Sequence, residues 1–352
     1  MKIIRIRDKN KECLYSKNYN WEFDTTSGFF MRYGTRKDDD PDYSPVGPEI
    51  ADIEVSTICS GPFGTPCSWC YKSNTSNGEN MTLETFVKVF NNINPYSNLT
   101  QIAFGIGDID SNPDLIPMFE HCRLNNVVPN LTVNGARLYN RYKDGKTYYE
   151  KIVELCGAVA VSHYGDDICF NAVKQFTDLG MTQVNIHKIL AEDTLDDCLD
   201  LLQKSQVDRR LEKLNAVVFL LLKPKGSRNN LTSLRDVKKY KELIEFAVSN
   251  NINIGFDSCG ANKFLEAVKG MKNYDTYKML AEPCESAAFS VYVNVDGRAF
   301  PCSFGEGTPG WEEGIDVVNC RDFIRDVWEG EKFRDFRHRA QQNKRSCVFY
   351  NI

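Results

Sequence analysis

From Ala51 onward the chain alternates between two hydrophobic periods. Short apolar runs at Asp52–Ile58, Gln101–Ile106, Asn130–Val133, Ala158–Ser162, Gln183–Leu190 and Ala216–Leu222 have the length and β-branched content of buried strands. Between them, near Leu83–Asn92, Pro113–Asn125, Tyr149–Leu155, Ile168–Leu179 and Leu195–Lys204, apolar residues recur at the spacing of one buried helix face. Six strand–helix units in series predict an α/β fold with a parallel sheet, either doubly wound or curled into a partial (β/α)6 barrel. A further helix around Leu234–Ser249 leads to a seventh strand at Asn253–Asp257.

The pattern changes at both ends. Beyond Glu282, Phe289–Val295 alternates as a strand, Asp296-Gly297 is a hairpin turn, Ala299–Pro301 returns, and a helix follows near Arg321–Gln341. This predicts a small α+β module after the core. Ahead of the alternation lie β-like pieces at Lys2–Arg7 and Gly28–Tyr33 and an acidic, proline-containing stretch, Asp38–Pro48. That region reads as an irregular extension, too short for a leader-peptide-binding domain. The expected division is 1–50, 51–260 and 261–352.

Composition changes little in this picture, with one exception. Hydrophobic residues at 42% and charged residues at 26% are those of an ordinary folded chain. A net charge of −5 gives no global attraction to nucleic acid or an anionic membrane. The N-terminus lacks the apolar run of a signal peptide, and no stretch approaches the ~20 residues of a membrane span, so a cytoplasmic protein is expected. The exception is cysteine. Thirteen is many, odd in number, and better suited to metal–thiolate sites than to disulfides. Cys122, Cys156, Cys169 and Cys198 fall in apolar-periodic segments, where burial is the expected role.

The first strand runs directly into Cys59-Ser-Gly-Pro-Phe-Gly-Thr-Pro-Cys67-Ser-Trp-Cys70, three thiols in a Gly/Pro-rich loop at a strand's C-terminal end. A structural zinc site closes with four ligands. Three on a four-iron cluster leave one iron open to a small molecule.

Here the sequence resembles the radical S-adenosylmethionine (SAM) superfamily, whose motif is C-x3-C-x2-C with an aromatic residue before the last Cys. Cys67-Ser-Trp69-Cys70-Tyr71 matches the second half, while the first gap is seven residues instead of three. Gly105-Ile-Gly107-Asp108, at the second strand's end, is similar to the family's Gly-Gly-Glu-Pro segment, with Asp108 in place of Glu. Thr132-Val-Asn134-Gly135 is similar to the Thr-Asn-Gly element beside the SAM ribose. The resemblance covers roughly Ala51 to Gly260. It implies a SAM-cleaving [4Fe–4S] cluster on Cys59, Cys67 and Cys70. It also implies SAM contacts from Trp69, Tyr71, Gly105, Gly107, Asp108, Thr132, Asn134 and Asn185, the last near the adenosine.

In the tail, Cys284, twelve residues, Gly297, four residues and Cys302 resemble the opening of the SPASM and twitch modules. With Cys320 and Cys347 the hairpin pair makes four thiols, which implies one auxiliary [4Fe–4S] cluster. Cys259 ends the seventh strand, and its role is open between auxiliary ligand, hydrogen donor to a substrate radical, and buried thiol. His163, Tyr164, His187, Asp257 and Arg228 also stand near strand ends.

The implied activity is reductive cleavage of SAM to a 5′-deoxyadenosyl radical that abstracts hydrogen from a substrate, an oxidoreductase-type chemistry served by a reductant such as flavodoxin or ferredoxin. The substrate expected first is a peptide or protein side chain, with a small molecule such as a nucleotide or sugar as the competitor. A non-catalytic iron–sulfur or zinc protein, for binding or electron transfer, would need the cysteines alone.

Overall fold

Alternation of side chains along the parallel strands decides the architecture. The computed structural model describes residues 3–36 and 39–352. Lys2 and Asp38, the first residues of two of the predicted N-terminal segments, lie outside the described residues. The N-terminal part is a four-stranded antiparallel meander of β1 (Ile4–Asp8), β2 (Lys11–Tyr15), β3 (Asn20–Asp24) and β4 (Phe30–Tyr33), paired in sequence order. This corrects the reading of residues 1–50 as irregular.

The core then runs β5 (Ile50–Glu54), α1 (Leu83–Ile93), β6 (Gln101–Gly105), α2 (Leu115–Leu124), β7 (Val128–Val133), α3 (Tyr148–Leu155) and β8 (Ala158–Ser162). It continues through α4 (Asp166–Asp178), β9 (Val184–Leu190), α5 (Leu195–Ser205), β10 (Ala216–Leu221), α6 (Val237–Ser249) and β11 (Ile254–Phe256). Local signals set the helix starts. Thr82 caps α1 by accepting from the Thr85 N–H, and Thr147 with Glu150 forms a reciprocal capping box on α3.

Strands β5 to β11 are parallel and lie side by side in sequence order. Such single winding sends every right-handed crossover to the same face, so the sheet curls with helices outside and a lumen inside. The doubly wound alternative is thereby set aside, and the predicted seventh strand joins the series as β11. Outward residues such as Ala51, Ile53, Ile102, Val159, Ile186 and Val217 are fully buried against the helices. Inward ones, among them Asp52, Ala103, Thr132, Asn185 and His187, keep access to the lumen.

After two short helices, α7 (Ala261–Ala267) and α8 (Tyr274–Leu280), come β12 (Ser290–Val293), β13 (Arg298–Phe300), β14 (Ile315–Asp316) and α9 (Glu331–Gln342). The tail does not make a separate sheet. β12 pairs parallel to β5, Tyr292 opposite Asp52, and β13 and β14 extend the same sheet antiparallel.

The N-terminal meander covers the opposite end of the barrel from the strand C-termini. Leu14, Tyr19, Trp21 and Phe23 pack with Val128, which begins β7, and with Ala288 and Phe289, which precede β12. Asn98, ahead of β6, accepts from Trp21 Nε1 at 2.8 Å and donates to Gly47 O at 2.8 Å, while Arg32 pairs with the buried Glu49 at 2.6 Å. No helix among the described residues is long and apolar enough to cross a membrane.

Candidate active site

The loop after β5 is held down by glycines that a side chain would displace. The Cys59 N–H donates to Thr75 O at 2.8 Å. Beneath it, a Cβ on Gly107 would stand 2.3 Å from the Cys59 Cβ and 2.5 Å from Ile58 O, so only glycine lets the loop lie on the end of β6. Gly226, with φ +104°, packs against Cys70 in the same way, its would-be Cβ 2.3 Å from Cys70 O. Ser227 and Arg228 then bind Ser73 and Asn74, the Arg228 guanidinium reaching Asn74 O at 2.9 Å.

Burial, with the neighbouring Cys59 and Cys70, pushes the Cys67 thiol up to about 11, and burial also raises Cys59. Both therefore hold protons at neutral pH until a metal displaces them. Among the described residues no three His, Cys, Asp or Glu side chains close on one point as a single ion needs. A structural zinc site closes with four ligands, whereas three thiols on a four-iron cluster leave one iron open, and a three-thiol loop suits the latter.

The two turn elements meet beside the thiols. The Asp108 N–H donates to Ile58 O at 3.0 Å, and Asp108 Oδ2 accepts from the Ser60 N–H at 2.9 Å and its hydroxyl at 2.6 Å. Asn134 Nδ2 donates to Gly107 O at 3.3 Å. Arg137, unremarked in the sequence, donates to Ser60 Oγ at 2.7 Å and pairs with Asp110 at 3.2 Å. The Trp69 ring centroid lies 5.8 Å from that of the half-buried Tyr164. Two buried atoms here lack any protein partner, Trp69 Nε1 and Asp108 Oδ1. Such atoms are costly unless a bound molecule or water satisfies them.

Two further candidate residues have other neighbours. Tyr71 turns toward the tail, its ring 4.5 Å from that of Phe304. Asn185 is the second residue of β9, at the far end of the strand from the turns, and accepts from Asn215 at 2.9 Å. Its short amide bonds the residue just ahead of the adjoining strand β10.

The second group of thiols comes from three parts of the chain. Cys259, Cys284, Cys302 and Cys347 line one small cavity, with Ser286, Lys223 and Phe304. The neighbouring Cys259 pulls the Cys284 thiol down, and Cys284 Sγ reaches Ser286 Oγ at 3.3 Å. Burial pushes Cys302 up to about 12, against N–H donation from Phe304 and Gly305. Cys320 is not on this cavity. Its Sγ donates to Val317 O at 3.2 Å, and its charged neighbours are Asp326, Asp316 and Asp322. Cys122, Cys156, Cys169 and Cys198 are buried, as their periodicity predicts.

Between the two thiol sites lies a polar network that no motif announced. Lys72 pairs with Glu54 at 3.0 Å and with Glu306, and Tyr292 donates to Glu54 at 2.9 Å. Glu54, Lys72 and Glu306, with Lys225, Glu79 and Asp296, border an open cavity of about 460 Å³. Asp52 stands below them on the lumen, where burial raises its carboxyl to about 6. Alternation along β5 was the one signal pointing Asp52 and Glu54 inward.

Residues 284–348 match the SPASM family, described as an iron–sulfur cluster-binding domain. The whole chain resembles SuiB of Streptococcus suis solved with its precursor peptide SuiA, at 10% identity and a TM-score of 0.68 over 95% of this chain and 90% of that one. SuiB bound to S-adenosylmethionine aligns at 13% identity and a TM-score of 0.61, over 84% of this chain and 68% of that one. At such identities the likeness is one of fold. No protein of curated function matches the sequence.

Proposed function

We propose that this chain is a radical SAM enzyme with a C-terminal SPASM-type cluster module, and that it modifies a peptide or protein side chain. The observation that carries the reading is the meeting, at one strand-end mouth, of the 59–70 thiol loop with the Gly105–Asp108 and Thr132–Asn134 turns. Cys59, Cys67 and Cys70 would hold the [4Fe–4S] cluster, which with SAM supplies a 5′-deoxyadenosyl radical. Asp108 has one oxygen tied to Ser60 and the other free, an acceptor suited to an ammonium group. Trp69 Nε1 is a donor awaiting an acceptor beside it. Thr132 and Asn134 flank the same turn and suit a ribose. The helices outside and the meander below shield the lumen, so stray hydrogen donors are kept from it.

Two observations support a peptide substrate. The fold likeness to SuiB in its complex with a precursor peptide spans nearly the whole chain. The walls of the open cavity carry both carboxylates and ammonium groups, which suit the amides and charged side chains of a peptide.

Anaerobic reconstitution with iron and sulfide, then dithionite and SAM, tests the activity. The expected product is 5′-deoxyadenosine. A yield no higher than that of a Cys59/Cys67/Cys70→Ala variant would overturn the assignment. Deuterium from a labelled candidate peptide, and not from nucleotides or sugars, is expected in that product.

A further inference from the structure

We infer that Cys259, which lies outside the matched 284–348 segment, completes a four-thiolate site for the second cluster, and that Cys320 takes no part. The assignment rests on reading the C-terminal module as cluster-bearing. Nearest-in-sequence arithmetic selects Cys320, because it lies within the tail. The fold selects otherwise. Cys259 shares a cavity with Cys284, Cys302 and Cys347, while Cys320 sits among three aspartates that would repel an anionic thiolate cluster.

The surroundings of Cys259 fix it there. It rides on the turn Ser258–Gly260, whose start Asp257 caps: Asp257 Oδ1 accepts from the Gly260 N–H at 3.1 Å and from the Leu221 N–H at 3.2 Å. Lys223, almost wholly buried, pairs with Asp257 and places a positive charge on the cavity wall, where a cluster with four thiolates is negative. From the other side, Arg345 binds Cys284 O at 2.9 Å and Glu282 at 2.6 Å, and Ser346 accepts from Asn262 at 2.6 Å. These bonds bring the tail, and Cys347 with it, onto the end of β11.

Two chemical consequences separate this site from the first. Four thiolates close a four-iron cluster, so none of its irons is left for substrate, and substrate must be held by side chains. A ligated Cys259 carries no S–H, so it has no hydrogen to give a substrate radical. The cluster also ties core, hairpin and tail together.

The test uses the full chain carrying Cys59/Cys67/Cys70→Ala, which isolates the second site. After anaerobic reconstitution this background is expected to hold about four irons and a reducible EPR signal. Adding Cys259→Ala should lower the iron or change the signal, while adding Cys320→Ala should leave both as they were. Retained iron and an unaltered signal in Cys259→Ala, or loss in Cys320→Ala, overturns the inference. If the alanine variant does not fold, Cys259→Ser replaces it: a shifted EPR signal is expected, and an identical one refutes Cys259 as a ligand. A background free of iron overturns the cluster reading of the module itself, and this assignment with it.

Discussion

His187 faces the lumen from the middle of β9, and burial drives its imidazole pKa down to about 4 from 6.5, with Asp257 pulling the other way. Between those values the unfolded chain takes up a proton that the folded chain refuses. Stability is therefore complete above pH 6.5 and falls as pH drops toward 4, by at most about 3 kcal/mol from this residue. Urea unfolding at pH 7 and pH 4.5 should show the loss in the natural chain and a smaller one in His187→Gln; equal losses would refute the role. At this scale, legibility followed the motif. Cys59, Cys67, Cys70, Gly107, Asp108 and Asn134 are found together because a short signature names each of them. Cys259 could not be chosen over Cys320, since residue type and spacing say nothing of which thiols a fold brings to one cavity. The neighbours that Tyr71 and Asn185 take were hidden for a related reason, because position along a strand does not reveal which neighbour a side chain prefers.

Among elements, the order and kind of every core strand and helix were legible, with ends off by up to four residues as at β5, because period and length agree in each segment. β2 and β3 were not. Lys11–Tyr15 buries Glu12 through its pair with Arg5 at 2.8 Å, so its polarity hides its burial. In Asn20–Asp24 the alternation of Trp21 and Phe23 was present but only five residues long. The segment Lys223–Asn229 carries the least visible function. Its Gly226 and Arg228 grip the first thiol loop, and its Lys225 donates to Ser303 O at 2.9 Å and Glu306 O at 2.8 Å in the second. Arg228→Ala should release the 73–74 backbone and cost the first site its iron, about four atoms per chain, while sparing the second. Iron analysis after gel filtration checks this, with Arg228→Lys restoring part of the loss; full retention in the alanine variant would sink the idea.

The molecule as a whole is organised around a barrel with unlike ends. The meander closes one, and the thiol loops and tail gather at the other. Asn98 is the buried joint between meander and core, bonded to Trp21, Ser44 and Gly47. Asn98→Ala strands the Trp21 indole N–H and should cost roughly 3 kcal/mol in urea unfolding, without changing iron content. A cost below ~0.5 kcal/mol would show the meander to be loosely attached. The pairing of β12 with β5 has a further consequence, in the order of synthesis. The strand that leads into the first three thiols leaves the ribosome about 240 residues before its partner, which at ~5–20 residues per second is roughly 12–50 s. For that interval β5 presents an unpaired edge, open to chaperones and to wrong partners. A strand made long after β5 is thus the one that seals the first strand of the barrel.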